Sequence, residues 1–209
     1  MNSDETGGHY NRIKRTMESI AGRVRREADS LSRSEVNAFV SEIIASYEDR
    51  HRIYLLGEGR SGLVGRAFAM RLMHVGFDVN VFGEVVTPAV RENDLLIAVS
   101  GTGETATVNE VARIAKQHGA RIAAVTSNVD SSLGKLADNI VTIRGRTEAD
   151  DVSFLERQVT GVSISLTPLG TLFELNALVF LDSVIAGLIG ALEKKEEELA
   201  ERHLDRSYW

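Results

Sequence analysis

The sequence predicts an α/β fold: a five-stranded parallel sheet of strand order 2-1-3-4-5 with helices on both faces. From residue 52 onward, short β-branched runs alternate with helical stretches, which is the pattern of repeated βαβ units. The β-branched runs are almost continuously apolar, as strands covered on both faces are. A length of 209 residues fits one such domain. We therefore expect a single domain over residues 1–209.

The elements of the sheet region follow from the alternation of these runs with glycine- or serine-containing turns. The predicted strands are Arg52 to Leu56, Val79 to Phe82, Asp94 to Val99, Arg121 to Thr126 and Ile140 to Ile143. The predicted helices between them are about Ser61 to Val75, Thr105 to His118 and Ser131 to Leu136. Each loop after a strand therefore opens a helix.

An N-terminal extension of about residues 1–50 carries two stretches of apolar residues at helical spacing, which predicts two helices before the sheet. Ser34 is expected to begin the second of them, with Asn37 three residues on as a partial cap. After the sheet, residues 144–165 lose all periodicity and are expected to form a loop.

A long apolar helix is predicted after that loop, with Pro168 in its first turn. Because Glu174 and Asp182 interrupt its apolar surface, we expect a core helix or an oligomer interface and not a membrane span. Its apolar surface exceeds what one small sheet can cover, which predicts a homo-oligomer, with a tetramer favoured. A charged helical tail of about residues 193–209 follows.

The composition is that of a globular protein in water, with 43% hydrophobic and 26% charged residues. A net charge of −6 gives nucleic acid no overall attraction, and the basic residues near the amino terminus alternate with acidic ones as on a solvated helix face. The lack of cysteine excludes disulfides, thiolate nucleophiles and cysteine-bound metal. No secretory or membrane-spanning pattern is recognisable, so we expect a cytoplasmic protein without membrane or nucleic-acid partners.

Two glycine-rich loops follow the first and third predicted strands, which flank the point where the strand order reverses and ligands bind. Glycines let backbone N–H groups approach an anion, helix N-termini favour negative charge, and hydroxyls can donate to phosphate oxygens. The alternative is that serine and threonine only cap helices and glycine only makes turns. The residues expected to bind a phosphorylated ligand are Gly59, Arg60, Ser61, Ser100, Gly101, Thr102, Gly103 and Thr105.

A dinucleotide site competes with this interpretation, because Gly57-Glu58-Gly59-Arg60-Ser61-Gly62 matches GxGxxG. Glu84 lies at about the distance at which an acidic residue binds ribose in such sites. A lone GxGxxG is a weak signal, and it leaves the hydroxyl-rich second loop and the helical extension unexplained. Phosphorylated sugar is therefore the favoured ligand.

Four segments carry a family resemblance: GEGRSGLVGRAFAMRLMHVGFDV, GEVVTPAVRENDLLIAVSGTGETATV, AVTSNVDSSLGKLAD and LTPLGTLFELNALVFLDSV. They span about residues 52–190, and they resemble the sugar isomerase (SIS) domain family and, within it, the 6-phospho-3-hexuloisomerases. The resemblance implies reversible isomerisation of D-arabino-3-hexulose 6-phosphate to fructose 6-phosphate. The chain departs from the pattern at Glu58, where a small residue is expected, and at Thr102, where serine is commoner. Glu58 is expected to weaken phosphate binding unless its side chain points outward.

Isomerisation through an enediol needs a base beside the carbonyl and a group that moves protons between the oxygens. Glu174 is the candidate base, since carboxylates in apolar surroundings bind protons more readily; a solvated or arginine-paired carboxylate is the alternative. His74 and His203 are candidates for the second group, and for His203 the resemblance implies a tail that crosses into a neighbouring subunit's site. No spacing indicates a metal site, so we expect no metal and no cofactor. A sugar-phosphate sensor without turnover, or another phosphosugar isomerase, remains the alternative function.

Overall fold

The computed structural model describes residues 3–145, 171–195 and 198–199. Five parallel strands form one sheet in the order β2-β1-β3-β4-β5, as predicted. Every predicted strand is present, with ends that differ by one residue at most. The strands are β1 (Ile53–Leu56), β2 (Val79–Val81), β3 (Leu95–Val99), β4 (Arg121–Thr126) and β5 (Asn139–Thr142).

Helices cover both faces of the sheet. The described residues contain α1 (Ser3–Ser30), α2 (Arg33–Glu48), α3 (Gly59–Val75), α4 (Ala106–Gln117), α5 (Ser132–Leu136) and α6 (Thr171–Ala191). One core cluster joins α2, α3 and α6 to one face of the sheet, and a second joins α4 and α5 to the other. The two-sided cover explains why the central strands β1 and β3 are buried along their whole length.

The start of α2 differs from the prediction. Ser32, and not Ser34, is the N-cap residue, and its hydroxyl accepts a hydrogen bond from the Glu35 N–H. The Glu35 carboxylate, which a capping box would turn back to the helix start, instead accepts from the Thr142 N–H at 2.8 Å. A contact with the edge strand β5 therefore takes the place of the second bond of a capping box.

The long helix α6 is long and apolar enough to cross a bilayer by length and composition alone. In the structure it packs against α1, α2 and α3, and one face of it is buried in the core beneath the sheet. Half of its most apolar stretch is buried in this way. The packing agrees with the predicted core helix. Pro168 and most of the predicted loop 144–165 lie outside the described residues.

The end of β5 is held by a buried carboxylate. Glu27 of α1 is 8% exposed, and its Oε1 accepts from the Arg144 N–H at 2.8 Å. Burial raises the pKa of Glu27, and the hydrogen bond from Arg144 acts in the opposite direction. The Arg144 carbonyl oxygen in turn accepts from Asn176 of α6. These bonds tie the sheet edge to the helix that carries Glu174.

Candidate functional site

The loops after β1 and β3 lie side by side, because these two strands are paired in parallel register at the centre of the sheet. In the first loop, Gly57 and Gly62 approach so closely that a Cβ on Gly62 would lie 2.7 Å from the Gly57 carbonyl oxygen. Gly59 has φ of +56°, in the left-handed region that favours glycine. The tight turn places the N-terminus of α3 at the carboxyl edge of the sheet, where anions are favoured.

The second loop brings its hydroxyl groups together. Ser100, 4% exposed at the end of β3, has its Oγ 3.3 Å from the Oγ1 of Thr105. Ser100 Oγ also accepts from the Gly103 N–H, and Thr102 Oγ1 accepts from the Glu104 N–H. Thr105 is the N-cap residue of α4, but its hydroxyl faces Ser100 and does not cap the described helix. The capping alternative therefore does not account for Thr105, whose hydroxyl is directed into the loop.

Residues that follow β4, together with one residue of α4, hold the backbone of the second loop in place. The Ser127 hydroxyl donates to the Gly101 carbonyl oxygen at 2.5 Å. Gly103 has φ of +66°, and a Cβ there would lie 2.0 Å from the Oγ of the buried Ser131. The Gly103 carbonyl oxygen accepts from Asn109 Nδ2 at 3.1 Å. The loop is thus held in one conformation before any ligand arrives, which lowers the ordering cost of binding.

Helix α6 approaches the second loop from the side. A Cβ on Gly101 would lie 2.9 Å from Phe173 Cδ1, so only glycine permits this contact. The neighbouring residue, Glu174, has a side chain that is 15% exposed, and its Oε2 lies 3.6 Å from Arg60 Nε of the first loop. Among the described residues, Oε2 is buried without a hydrogen-bond partner. Glu174, Arg60 and the hydroxyl-lined loop are therefore brought to one place.

The two histidines are placed differently. His74 is half-buried near the C-terminal end of α3. The loops lie at the opposite end of that helix, about 22 Å away at about 1.5 Å per residue. Within one chain, His74 is therefore not brought to Glu174. His203 lies outside the described residues, so its role remains a prediction.

Carboxylates surround the two loops, and their partners differ. Glu104 accepts from the Ser132 hydroxyl and N–H, which lowers the pKa of Glu104, the hydroxyl bond having the larger effect. Glu84, the residue expected to bind ribose in a dinucleotide site, forms an ion pair of 2.8 Å with Arg66 of α3. The described residues hold no group of three or more histidine, aspartate or glutamate side chains arranged for a metal ion.

The supporting residues were not identified from the sequence. Ser127 and Asn109 donate to the Gly101 and Gly103 carbonyl oxygens, and Ser131 packs against Gly103, although none of the three belongs to a glycine-rich loop. The polar run that follows the apolar strand β4 is a signal that could have indicated the two serines. Asn109 lies within α4, where no local pattern distinguishes it from a solvated residue.

The geometry suits an anionic ligand with a polar tail. Two helix N-termini and a cluster of hydroxyl donors can hold a phosphate group. The Arg60–Glu174 pair lies beside this cluster, so a carboxylate can reach atoms of the tail that project from the bound phosphate. The site can therefore bind a phosphorylated molecule and transfer protons on it.

Comparisons with known proteins agree with this geometry. A model of the SIS domain family matches residues 46–167. The 3-hexulose-6-phosphate isomerase of Bacillus subtilis is 38% identical and covers 84% of this chain, with 87% of its own length matched. The corresponding protein of Mycobacterium gastri is 43% identical, over 73% of this chain and 72% of its own.

A crystal structure from Methanococcus jannaschii, described as inferring a function of 3-hexulose-6-phosphate isomerase, has the same fold. It is 30% identical with a TM-score of 0.72, and the match covers 90% of this chain and 97% of that one. The family match covers more than half of the chain, and the relatives match over more than two thirds of it. This chain belongs to the sugar isomerase (SIS) domain family.

Proposed function

We propose that this protein interconverts D-arabino-3-hexulose 6-phosphate and fructose 6-phosphate through an enediol, as a reversible keto–keto isomerase. The observation that carries the proposal is Glu174, a carboxylate withdrawn from water and paired with Arg60 beside a hydroxyl-lined loop at two helix N-termini. The names of relatives at 38% and 43% identity support the same reaction.

The phosphate group occupies the second loop in this proposal. Ser100, Thr102 and Thr105 donate from their hydroxyls, and the first turn of α4 adds N–H groups that the helix itself cannot pair. Gly59 and Ser61, at the start of α3, are the residues of the first loop that we assign to the cradle. The remaining carbon chain then extends toward Arg60 and Glu174.

Proton transfer on carbon is assigned to Glu174. The carboxylate removes the proton from C2 of the 3-keto sugar, and the electron pair forms the 2,3-enediolate as the C3 carbonyl oxygen gains charge. The protonated carboxylate then delivers a proton to C3 while the O2 proton moves to O3, which leaves the carbonyl at C2 and balances the reaction. Arg60 stabilises the oxygen that gains charge, and His74 or His203 of a neighbouring subunit are candidates for moving the oxygen-bound proton.

The proposal extends to assembly and cellular role. A homotetramer would cover apolar side chains that remain exposed in the described chain, among them Leu63 and Met70 of α3 and Val179 of α6. Light scattering at micromolar concentration tests this assembly, and a monomer would contradict it. Because phosphorylated sugars are retained inside cells, we place the enzyme in the cytoplasm, in the ribulose monophosphate pathway of formaldehyde assimilation or its reverse.

The experiment that tests the function uses purified protein and fructose 6-phosphate. We expect a new hexulose phosphate to accumulate to a constant ratio, with the same ratio reached from the opposite direction. Incubation in deuterated water should place deuterium on the substrate carbon, because the enediol exchanges its proton. Saturable binding without turnover or exchange would favour the sugar-phosphate sensor instead, and the absence of binding would refute the phosphate cradle itself.

A further inference from the structure

The carboxylate of Glu58 is exposed and lies beside the first turn of α4, next to the second loop. Glu58 is the N-cap residue of α3, yet within the described chain its side chain does not accept from that helix. Its Oε1 accepts instead from the Thr107 hydroxyl of α4, at 3.1 Å, and both side chains are exposed. Capping of its own helix therefore does not explain a glutamate at this position.

The contact fixes the position of the charge. Thr107 is the second residue of α4 and follows the N-cap residue Thr105. Two residues of chain and one hydrogen bond then separate the Glu58 carboxylate from Thr105 of the hydroxyl cluster, a distance of about 5 to 8 Å. In the proposed binding mode, the tail of a ligand whose phosphate lies in the second loop extends toward the first loop, which carries Glu58.

The partner of Glu58 distinguishes it from the other carboxylates near the loops. Glu174 faces the guanidinium of Arg60, and Glu104 is turned away to bind the start of α5. Within the described segments, the partner of Glu58 is the neutral hydroxyl of Thr107. No lysine or arginine in the described part of the chain forms an ion pair with Glu58, so its negative charge can act on a group that enters the cradle.

We propose that Glu58 determines specificity: it selects sugar monophosphates with an uncharged tail and repels sugar phosphates that carry a second anionic group. The inference rests on the proposed function, since it requires the first phosphate to lie in the cradle. That phosphate is compensated by N–H groups, hydroxyls and two helix N-termini, whereas a second phosphate at the mouth meets Glu58 without such compensation. Hydroxyl groups of an uncharged tail can instead donate to the carboxylate.

The test compares dissociation constants for fructose 1,6-bisphosphate and fructose 6-phosphate, measured by titration calorimetry at low ionic strength. Glu58→Gln keeps the size of the side chain and an oxygen that can accept from Thr107 but removes the charge. The dissociation constant of the bisphosphate divided by that of the monophosphate should fall about five- to thirtyfold in this variant. This is the effect that Coulomb repulsion over about 8 Å predicts at an intermediate effective dielectric constant. The matched control is Glu110→Gln, since Glu110 is an exposed carboxylate of α4 that is paired with Arg113.

The control loses the same unit of charge from an exposed carboxylate and should keep the wild-type ratio. Equal ratios in Glu58→Gln and the wild type, or equal changes in both variants, would overturn the inference while leaving the proposed function in place. If the wild type binds neither sugar phosphate, the proposed function fails and the inference fails with it. In the wild type, raising the salt concentration from about 0.05 to about 0.5 M should also lower this ratio, because salt screens the repulsion between Glu58 and the second phosphate. A ratio that does not change with salt would contradict the proposed role of the charge.

Discussion

Replacing Gly103 by alanine perturbs the second loop where the backbone has the least freedom. At φ of +66°, an alanine costs about 1 to 2 kcal/mol, because the left-handed conformation brings its Cβ against the following carbonyl group. That Cβ would also lie 2.0 Å from Ser131 Oγ and 2.5 Å from Ser131 Cβ. Ser131 cannot yield easily, since it is 1% exposed and its hydroxyl donates to Asn128 O at 2.6 Å while accepting from Gly134 N at 3.1 Å.

Displacing Ser131 adds about 1 to 3 kcal/mol of overpacking and lost buried hydrogen bonds. We therefore expect Gly103→Ala to lower the free energy of unfolding by about 2 to 5 kcal/mol, which in a chain of this size lowers Tm by about 4 to 20 °C. Gly59→Ala is the matched control. Gly59 has φ of +56°, but a Cβ there meets nothing within 4 Å, so only the conformational cost of about 1 to 2 kcal/mol applies.

Thermal unfolding of the three proteins at one concentration, followed by circular dichroism, separates the two costs. A second measurement is KM for fructose 6-phosphate, which should rise in Gly103→Ala because Ser100 Oγ loses its contact with the Gly103 N–H. Equal Tm values for Gly103→Ala and Gly59→Ala would refute the steric part of the reasoning. A Tm of Gly103→Ala equal to that of the wild type would refute it entirely.

Four further predictions address the chemistry and the packing. Glu174→Gln should still bind substrate, but its kcat should fall by about 10² to 10⁴ fold, and the carbon-bound hydrogen should no longer exchange with deuterated water. If kcat and exchange are retained, His74 is the next residue to test. Combined Ser100→Ala and Thr105→Ala should raise KM more than about tenfold, and an unchanged KM would remove both hydroxyls from the site. Exhaustive chelation should leave activity intact; a loss that zinc or manganese restores would contradict a metal-independent reaction. Burial raises the pKa of Glu27 above its ordinary value of about 4.5, so the folded protein binds the Glu27 proton more tightly than the unfolded chain does. The stability that this proton contributes is complete below about pH 4.5 and is lost as pH rises through the folded-state pKa of Glu27. Glu27→Gln should therefore gain stability relative to the wild type between about pH 4 and about pH 7 in urea unfolding, and a constant difference would contradict the raised pKa.

Local pattern was sufficient for the elements of the sheet. Buried parallel strands such as β3 must be apolar along their length, and this requirement is visible without knowledge of the neighbours. The start of α2 was less predictable, because Ser32 and Ser34 are both suitable caps. The choice between them depends on Glu35, whose carboxylate is engaged by Thr142 of the distant edge strand.

The contents of the two loops were likewise visible in the sequence. Glycines next to serines and threonines at the ends of β1 and β3 indicated an anion site, because strand order alone places such loops together. For Glu174, the sequence offered a partner arginine only as part of the alternative to a catalytic role, and it did not identify that arginine as Arg60. The pairing of Glu174 with Arg60 depends on the packing of α6 against the second loop, where Phe173 lies against the Cα of Gly101.

The sequence by itself determined the fold class and its strands, since these depend on the local periodicity and residue types of single segments. The strand order was predicted with the fold class as a whole, and the glycine-rich loops were visible as candidates for a ligand site. Tertiary structure decided which side chains meet: Glu58 with Thr107, Arg60 with Glu174, and Asn109 with Gly103. Such contacts join different elements, and their geometry depends on how those elements pack. Glu174 thereby lies beside a guanidinium and Glu58 beside a neutral hydroxyl, and these partners follow from the packing.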